Sequence, residues 1–156
     1  MRLTLLLLLS FLAGLAAEES KPCLFCEIVS GTRPAAIVHR DDTVLAFMDN
    51  APRNPGHVLI IPIAHAENFL EAPPETVRQM MTLAQRIGRA IRQTDLPAEG
   101  LQLQMNTGKA AGQTVFHAHL HIIPRFAAEP PAAGEKNKAT LEQLEAVAVK
   151  IRAQLK

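Results

Sequence analysis

The chain has 156 residues, 48% of them apolar and 20% charged, which suits one folded domain and excludes a disordered or collagen-like polymer. Sixteen Lys and Arg stand against fifteen Asp and Glu, a net charge of +1, so no global field exists to hold nucleic acid or an anionic membrane. With no Trp or Tyr and only six Phe, the chain also lacks the aromatic surface that stacks single-stranded bases, and any anionic ligand must be gripped locally.

In chain order, Met1 and Arg2 lead into an apolar run from Leu3 to Leu15, followed by small residues around Ala16 and Ala17 and then by Glu18 and Glu19. This is the pattern of a secretory signal peptide over residues 1–17. The run is shorter than the ~20 apolar residues of a spanning helix. A soluble exported protein, periplasmic or secreted, is expected. Both cysteines lie in one unit, Cys23-Leu24-Phe25-Cys26, open to three readings: a disulfide, half of a zinc site, or a redox pair. The absence of a preceding strand argues against the redox pair. Export favours the disulfide.

Beyond the cysteines the pattern reads as short strands, one long helix, more strand and a final helix. Asp41-Asp42 is a turn before a β-branched and apolar run, Thr43 to Met48, that ends at Asp49. Pro52, Asn54, Pro55 and Gly56 make a loop, and His57 to Ile63 is a near-continuous apolar run, hence a buried central strand limited by Pro62. From Glu75 to Gln93, Val77, Met80, Met81, Ala84, Ile87 and Ile91 recur at helical spacing. Leu101 to Met105 alternates as a half-buried strand, Gly108 to Gly112 is a small-residue loop, and Val115 to Ile123 returns as a strand closed by Pro124. Thr140-Leu141-Glu142-Gln143 resembles a capping box opening a last amphipathic helix. The strand links are too short for crossover helices, so the fold class is α+β with a mostly antiparallel sheet. Residues 18–130 form the domain and 131–156 an extension whose role the sequence leaves open.

His117, His119 and His121 alternate with Ala118, Leu120 and Ile122. On a strand all three imidazoles share a face, with neighbours about 6.8 Å apart, a concentration that suits metal binding or nucleophilic catalysis.

The stretch Val115-Phe116-His117-Ala118-His119-Leu120-His121-Ile122-Ile123 resembles the histidine triad motif of the HIT superfamily of nucleotide hydrolases and transferases. Ala111 to Thr114 before it, Asp49 after its strand and the His57 to Pro62 block match as well. The resemblance runs from Cys23 to about Phe126. It implies a HIT-like fold, a five-stranded sheet with one long helix packed on it and a C-terminal helix. It also implies a purine nucleotide substrate and a homodimer formed through the long helix and the adjoining sheet edge.

Carried over by position, the resemblance makes His119 the nucleophile that forms a nucleotidyl-histidine intermediate and His121 a phosphate contact, with His117 completing the catalytic triad. Asn106 and Thr114 resemble the polar pair on the phosphate and leaving-group side, with Gln113 beside them and the amides from Gly112 to Val115 as added donors. Asp49 matches the carboxylate on the ribose hydroxyls, and Phe25, Ile28 and Phe47 the apolar clamp around the base. In a subset of bacterial members a structural zinc is held at the positions of Cys23, Cys26, His65 and His117, which keeps zinc open beside the disulfide. Asn106 points to the Hint-like branch and to hydrolysis of nucleoside 5'-phosphoramidates. The alternatives are a dinucleoside polyphosphate hydrolase and a nucleotide- or zinc-binding module that does not catalyse.

Overall fold

The computed structural model describes residues 23–96, 98–127 and 138–156. The expected signal peptide and the proline-rich break before the last helix lie outside these residues. The described chain runs α1 (Leu24–Ser30), β1 (Ile37–Arg40), β2 (Val44–Met48), β3 (Val58–Pro62), α2 (Pro74–Ile91), β4 (Gly100–Met105), a 3-10 turn (Lys109–Ala111), β5 (Leu120–Arg125) and α3 (Leu141–Gln154). The five strands form one sheet in the order β1-β2-β3-β5-β4. Every neighbouring pair is antiparallel.

Every residue of β2 and β3 is buried, because both sheet faces are covered and strand side chains alternate between them. Val44, Ala46, Met48, Val58, Ile60, Leu120 and Ile122 meet Met80, Leu83, Ala84, Ile87 and Ile91 of α2 and Leu144, Ala148 and Ile151 of α3. Leu45, Phe47, Leu59 and Ile61 point the other way, onto Phe25 and Ile28 of α1. The helix of the extension therefore shares the main core with α2. Thr140 opens it with the expected capping box. Of the α2 stripe, Met81 is the exception, 47% exposed.

Two expectations change. The segment after the cysteines begins with a helix, α1, rather than a strand; the Cys23 thiol accepts from the Cys26 amide at its start and Gly31, at φ 79°, ends it. The expected strand Val115 to Ile123 begins only at Leu120 and continues through Pro124 to Arg125. In the β3–β5 register, where Val58 faces Ile122 and Ile60 faces Leu120, Ala118 falls opposite Pro62, which has no N–H to donate. On the other side β4 ends at Met105 opposite Leu120. Residues 115–119 thus lose both ladder partners and form a loop, so the three histidines are not one strip. Pro124 is tolerated inside β5 because β3 pairs only as far as Ile122 and leaves that side of the strand without a ladder partner.

Candidate active site

The loop that replaces the expected strand is held to the segment after β3. The Ala118 amide donates to the Ala66 carbonyl at 2.7 Å. The Gln113 amide nitrogen donates to the carbonyls of Glu67 at 2.6 Å and Val115 at 3.0 Å, and its oxygen accepts from the Gly108 amide at 2.8 Å. Gln113 is 3% exposed. Its side chain is engaged by the loop itself, so it acts as a clamp rather than as the ligand contact expected from sequence.

This clamp turns His117 away from the other two histidines. Its Nε2–H donates to the Pro62 carbonyl at 3.0 Å, so the Nδ1 lone pair faces Cys23 Sγ at 3.4 Å, Cys26 Sγ at 3.6 Å and His65 Nδ1 at 3.3 Å. Cys26 Sγ lies 3.4 Å from His65 Nδ1. A tetrahedral zinc with bonds of about 2.05 Å to nitrogen and about 2.3 Å to sulfur sets N···N edges of about 3.3 Å and S···N edges of about 3.6 Å. The four distances above match those edges, all four donors lie within 4.8 Å of one another, and the backbone bond on the far nitrogen of His117 is the arrangement that orients a metal-ligating imidazole. Both cysteines are free thiols. Burial, and then neighbouring Cys23, push the Cys26 thiol up to about 11. Such a thiol stays protonated at neutral pH unless a cation takes the proton's place.

The His117 carbonyl points to the second centre and accepts from His119 Nδ1 at 2.6 Å. With its proton held there, His119 has its lone pair on Nε2. The ring is 4% exposed, packed edge-on against Phe25 with centroids 5.3 Å apart and against His121 at 4.9 Å. Burial lowers its pKa below the ordinary imidazole value against the opposing pull of the His117 carbonyl and the Asp49 carboxylate. His119 is therefore neutral at pH 7, the form a nucleophile requires.

His57 completes the centre, a member that the sequence placed at the head of a strand and in the block resembling the family, with no role of its own. It is 1% exposed. The Arg53 amide donates to its Nδ1 at 3.2 Å, which puts the proton on Nε2, 3.0 Å from His121 Nδ1 and 3.6 Å from Asp49 Oδ2. The Nε2–H donates to His121, whose own proton then resides on Nε2. Backbone groups of Arg53, Pro62 and His117 thus set the tautomers of His57, His117 and His119. The signal available in the sequence was a histidine at the head of an otherwise apolar run.

Phe25, Ile28, Phe47, Asp49, Thr114, His119 and His121 line one cavity of about 300 Å³, within the size range of small-ligand sites. Asp49 is oriented by the Ala51 amide on Oδ1 at 2.8 Å. Phe25 and Phe47 meet edge to face, centroids 5.5 Å apart. Asn106 and His117 do not line this cavity: Asn106 donates to the Gly112 carbonyl at 3.4 Å and accepts from Gln104 at 3.1 Å. The amides of Gly112 and Gln113 are engaged inside the loop. Thr114 and Val115, the next residues of the loop, do line the cavity, as do Arg33 and Asn50.

A family model described as the HIT domain matches residues 30–128. The Hit-like protein involved in cell-cycle regulation from Bartonella henselae superposes with a TM-score of 0.80 at 35% identity, covering 86% of this chain and 96% of that one. A zinc-bound histidine triad family protein from Mycobacterium smegmatis does so with a TM-score of 0.76 at 40% identity, over 86% and 93%. The adenylylsulfatase HINT3 of Arabidopsis thaliana is 40% identical over 103 residues, 66% of this chain and 52% of that protein.

Proposed function

The chain belongs to the HIT domain family, and from that membership and the geometry above we propose that it hydrolyses nucleoside 5'-phosphoramidates through a nucleotidyl-histidine intermediate, as in the Hint-like branch. His119 Nε2 attacks the α-phosphorus, the P–N bond breaks, and the amine departs with a proton taken from solvent, which the attacking water returns in the second step. Water then displaces the nucleotide from His119, releasing the nucleoside monophosphate and restoring the neutral ring. The observation that carries this reading is the 2.6 Å bond from His119 Nδ1 to the His117 carbonyl, which leaves Nε2 as the nucleophilic atom. Asp49 accepts from the ribose hydroxyls. Phe25, Ile28 and Phe47 flank the base, and His121, oriented by His57, donates to the phosphate together with the Thr114 and Val115 amides.

Cys23, Cys26, His65 and His117 hold a structural zinc in this reading, supported by their tetrahedral spacing and by the zinc-bound relative. Zinc supplies a fixed cross-link between α1 and the loop that carries His119. The chain also forms a homodimer through α2 and β4, where Met81 and Leu103 are 47% and 46% exposed and line a groove with Ala84 and Gly88. Residues 1–17 direct export. The relative named an adenylylsulfatase supports an adenylyl group as the transferred unit, with sulfate as a second leaving group to assay.

The test is amine release from adenosine 5'-phosphoramidate by the zinc-loaded protein beside His119→Ala. Turnover abolished by that substitution, with AMP binding retained, is expected. A wild type that binds AMP but releases neither amine nor sulfate makes the chain a binding module, and polyphosphate cleavage alone moves it to the dinucleoside polyphosphate hydrolases.

A further inference from the structure

The C-terminal extension reaches the same cavity. Ala139, Leu141 and Leu144 line it together with Phe25, Asp49 and His119. The Ala139 amide donates to the Asn50 carbonyl at 3.2 Å, one residue past the carboxylate on the ribose side. We propose that the first turn of α3 is the outer wall of the nucleoside pocket and that Leu141 is an affinity-determining residue for the base. This rests on the nucleotide reading of the site above.

The wall is rigid for reasons that do not involve a ligand. Leu144, Ala148 and Ile151 are buried in the main core. Lys150 pairs with Asp95 at 2.8 Å, Arg152 donates to the Ile37 carbonyl at 2.5 Å, and Arg86 of α2 donates to the Lys156 carbonyl at 2.9 Å. The capping box of Thr140 and Gln143 fixes the start of the helix. On this anchored element Leu141 is 47% exposed, yet it borders the cavity whose apolar walls include Phe25, Ile28 and Phe47. Val149, on the same helix, is 51% exposed and is not among the cavity's lining residues. A flat, apolar base placed between Phe47 and α3 would cover the half of Leu141 that water now touches, which is the environment such a side chain favours.

The test is AMP affinity by titration calorimetry for the wild type, Leu141→Ala and Val149→Ala, each checked for an unchanged unfolding midpoint. Leu141→Ala is expected to weaken AMP about tenfold, the lower end for shortening one side of an apolar pocket, with Val149→Ala unchanged. An unchanged Kd in Leu141→Ala overturns the proposal, as does equal weakening in both variants, which would trace the effect to the helix as a whole. A wild type that binds no AMP overturns the nucleotide reading itself.

Discussion

Gly56 tests how tightly the turn ahead of β3 holds His57. It is buried at φ 88°, and a Cβ there would lie 3.0 Å from both Leu96 Cδ1 and Pro124 Cγ. Gly56→Ala therefore carries two penalties: a left-handed backbone, about 1–2 kcal/mol, and overpacking against a ring fixed in β5, about 1–3 kcal/mol. Lower unfolded-state entropy returns about 0.4–1 kcal/mol, for a net loss of about 1–4.5 kcal/mol. Two other glycines separate the contributions. Gly31, at φ 79°, has nothing among the described residues within 4 Å of its would-be Cβ, so Gly31→Ala shows the backbone cost alone, a net loss of about 0–1.5 kcal/mol. Gly88, inside α2, would place a Cβ 2.9 Å from the movable Leu101 Cδ1; there the helix-propensity gain of about 1 kcal/mol offsets the contact, and Gly88→Ala should lie close to neutral. Urea unfolding with a shared m-value measures all three. A Gly56→Ala loss no larger than that of Gly31→Ala would refute the packing argument. Because the next residue is His57, AMP affinity should also fall in Gly56→Ala and hold in Gly31→Ala.

Removing zinc with a chelator should lower the unfolding stability by about 4 kcal/mol when free zinc had stood at a thousandfold its Kd, and Cys23→Ser should abolish that chelator sensitivity; a wild-type Tm indifferent to chelation contradicts the four-ligand reading. Asp41 governs an acid limb. Its partial burial alone would raise its pKa, but the Val44 and Thr43 amides, each 2.8 Å from Oδ1, and His39 at 3.1 Å bring it below the ordinary value of 3.8. A depressed carboxylate contributes stability above that ordinary value and loses it as pH falls through the lower folded value. Asp41→Asn should therefore unfold with a flatter pH dependence below about pH 4 than the wild type, and identical slopes would remove Asp41 from the account.

Much of the fold was legible because its signals are local. The β-branched and apolar run at 43–48, the apolar run at 57–63, the helical stripe from Val77 to Ile91 and the capping box at Thr140 all describe neighbours in sequence. What escaped depends on contacts across the chain. Helix α1 has seven residues and two buried anchors, too few to show a period. The late start of β5 follows from Pro62, which lacks an N–H on a strand 58 to 62, and from where β4 stops. The site residues divide the same way. The motif pointed to His119, His121, Asp49, Phe25 and Phe47, which do share a cavity. The roles of His57, Gln113 and Leu141 emerge only once Arg53, Glu67 and the start of α3 are in place.

In the proposed reaction His119 carries the nucleotide. Rapid mixing of the protein with adenosine 5'-phosphoramidate, quenched in alkaline denaturant to preserve the P–N bond and followed by peptide mass analysis, tests it most directly. An adenylyl increment on the peptide at His119, present before steady state and absent in His119→Ala, is expected. Amine release without that adduct, or with the adduct on another residue, would contradict it.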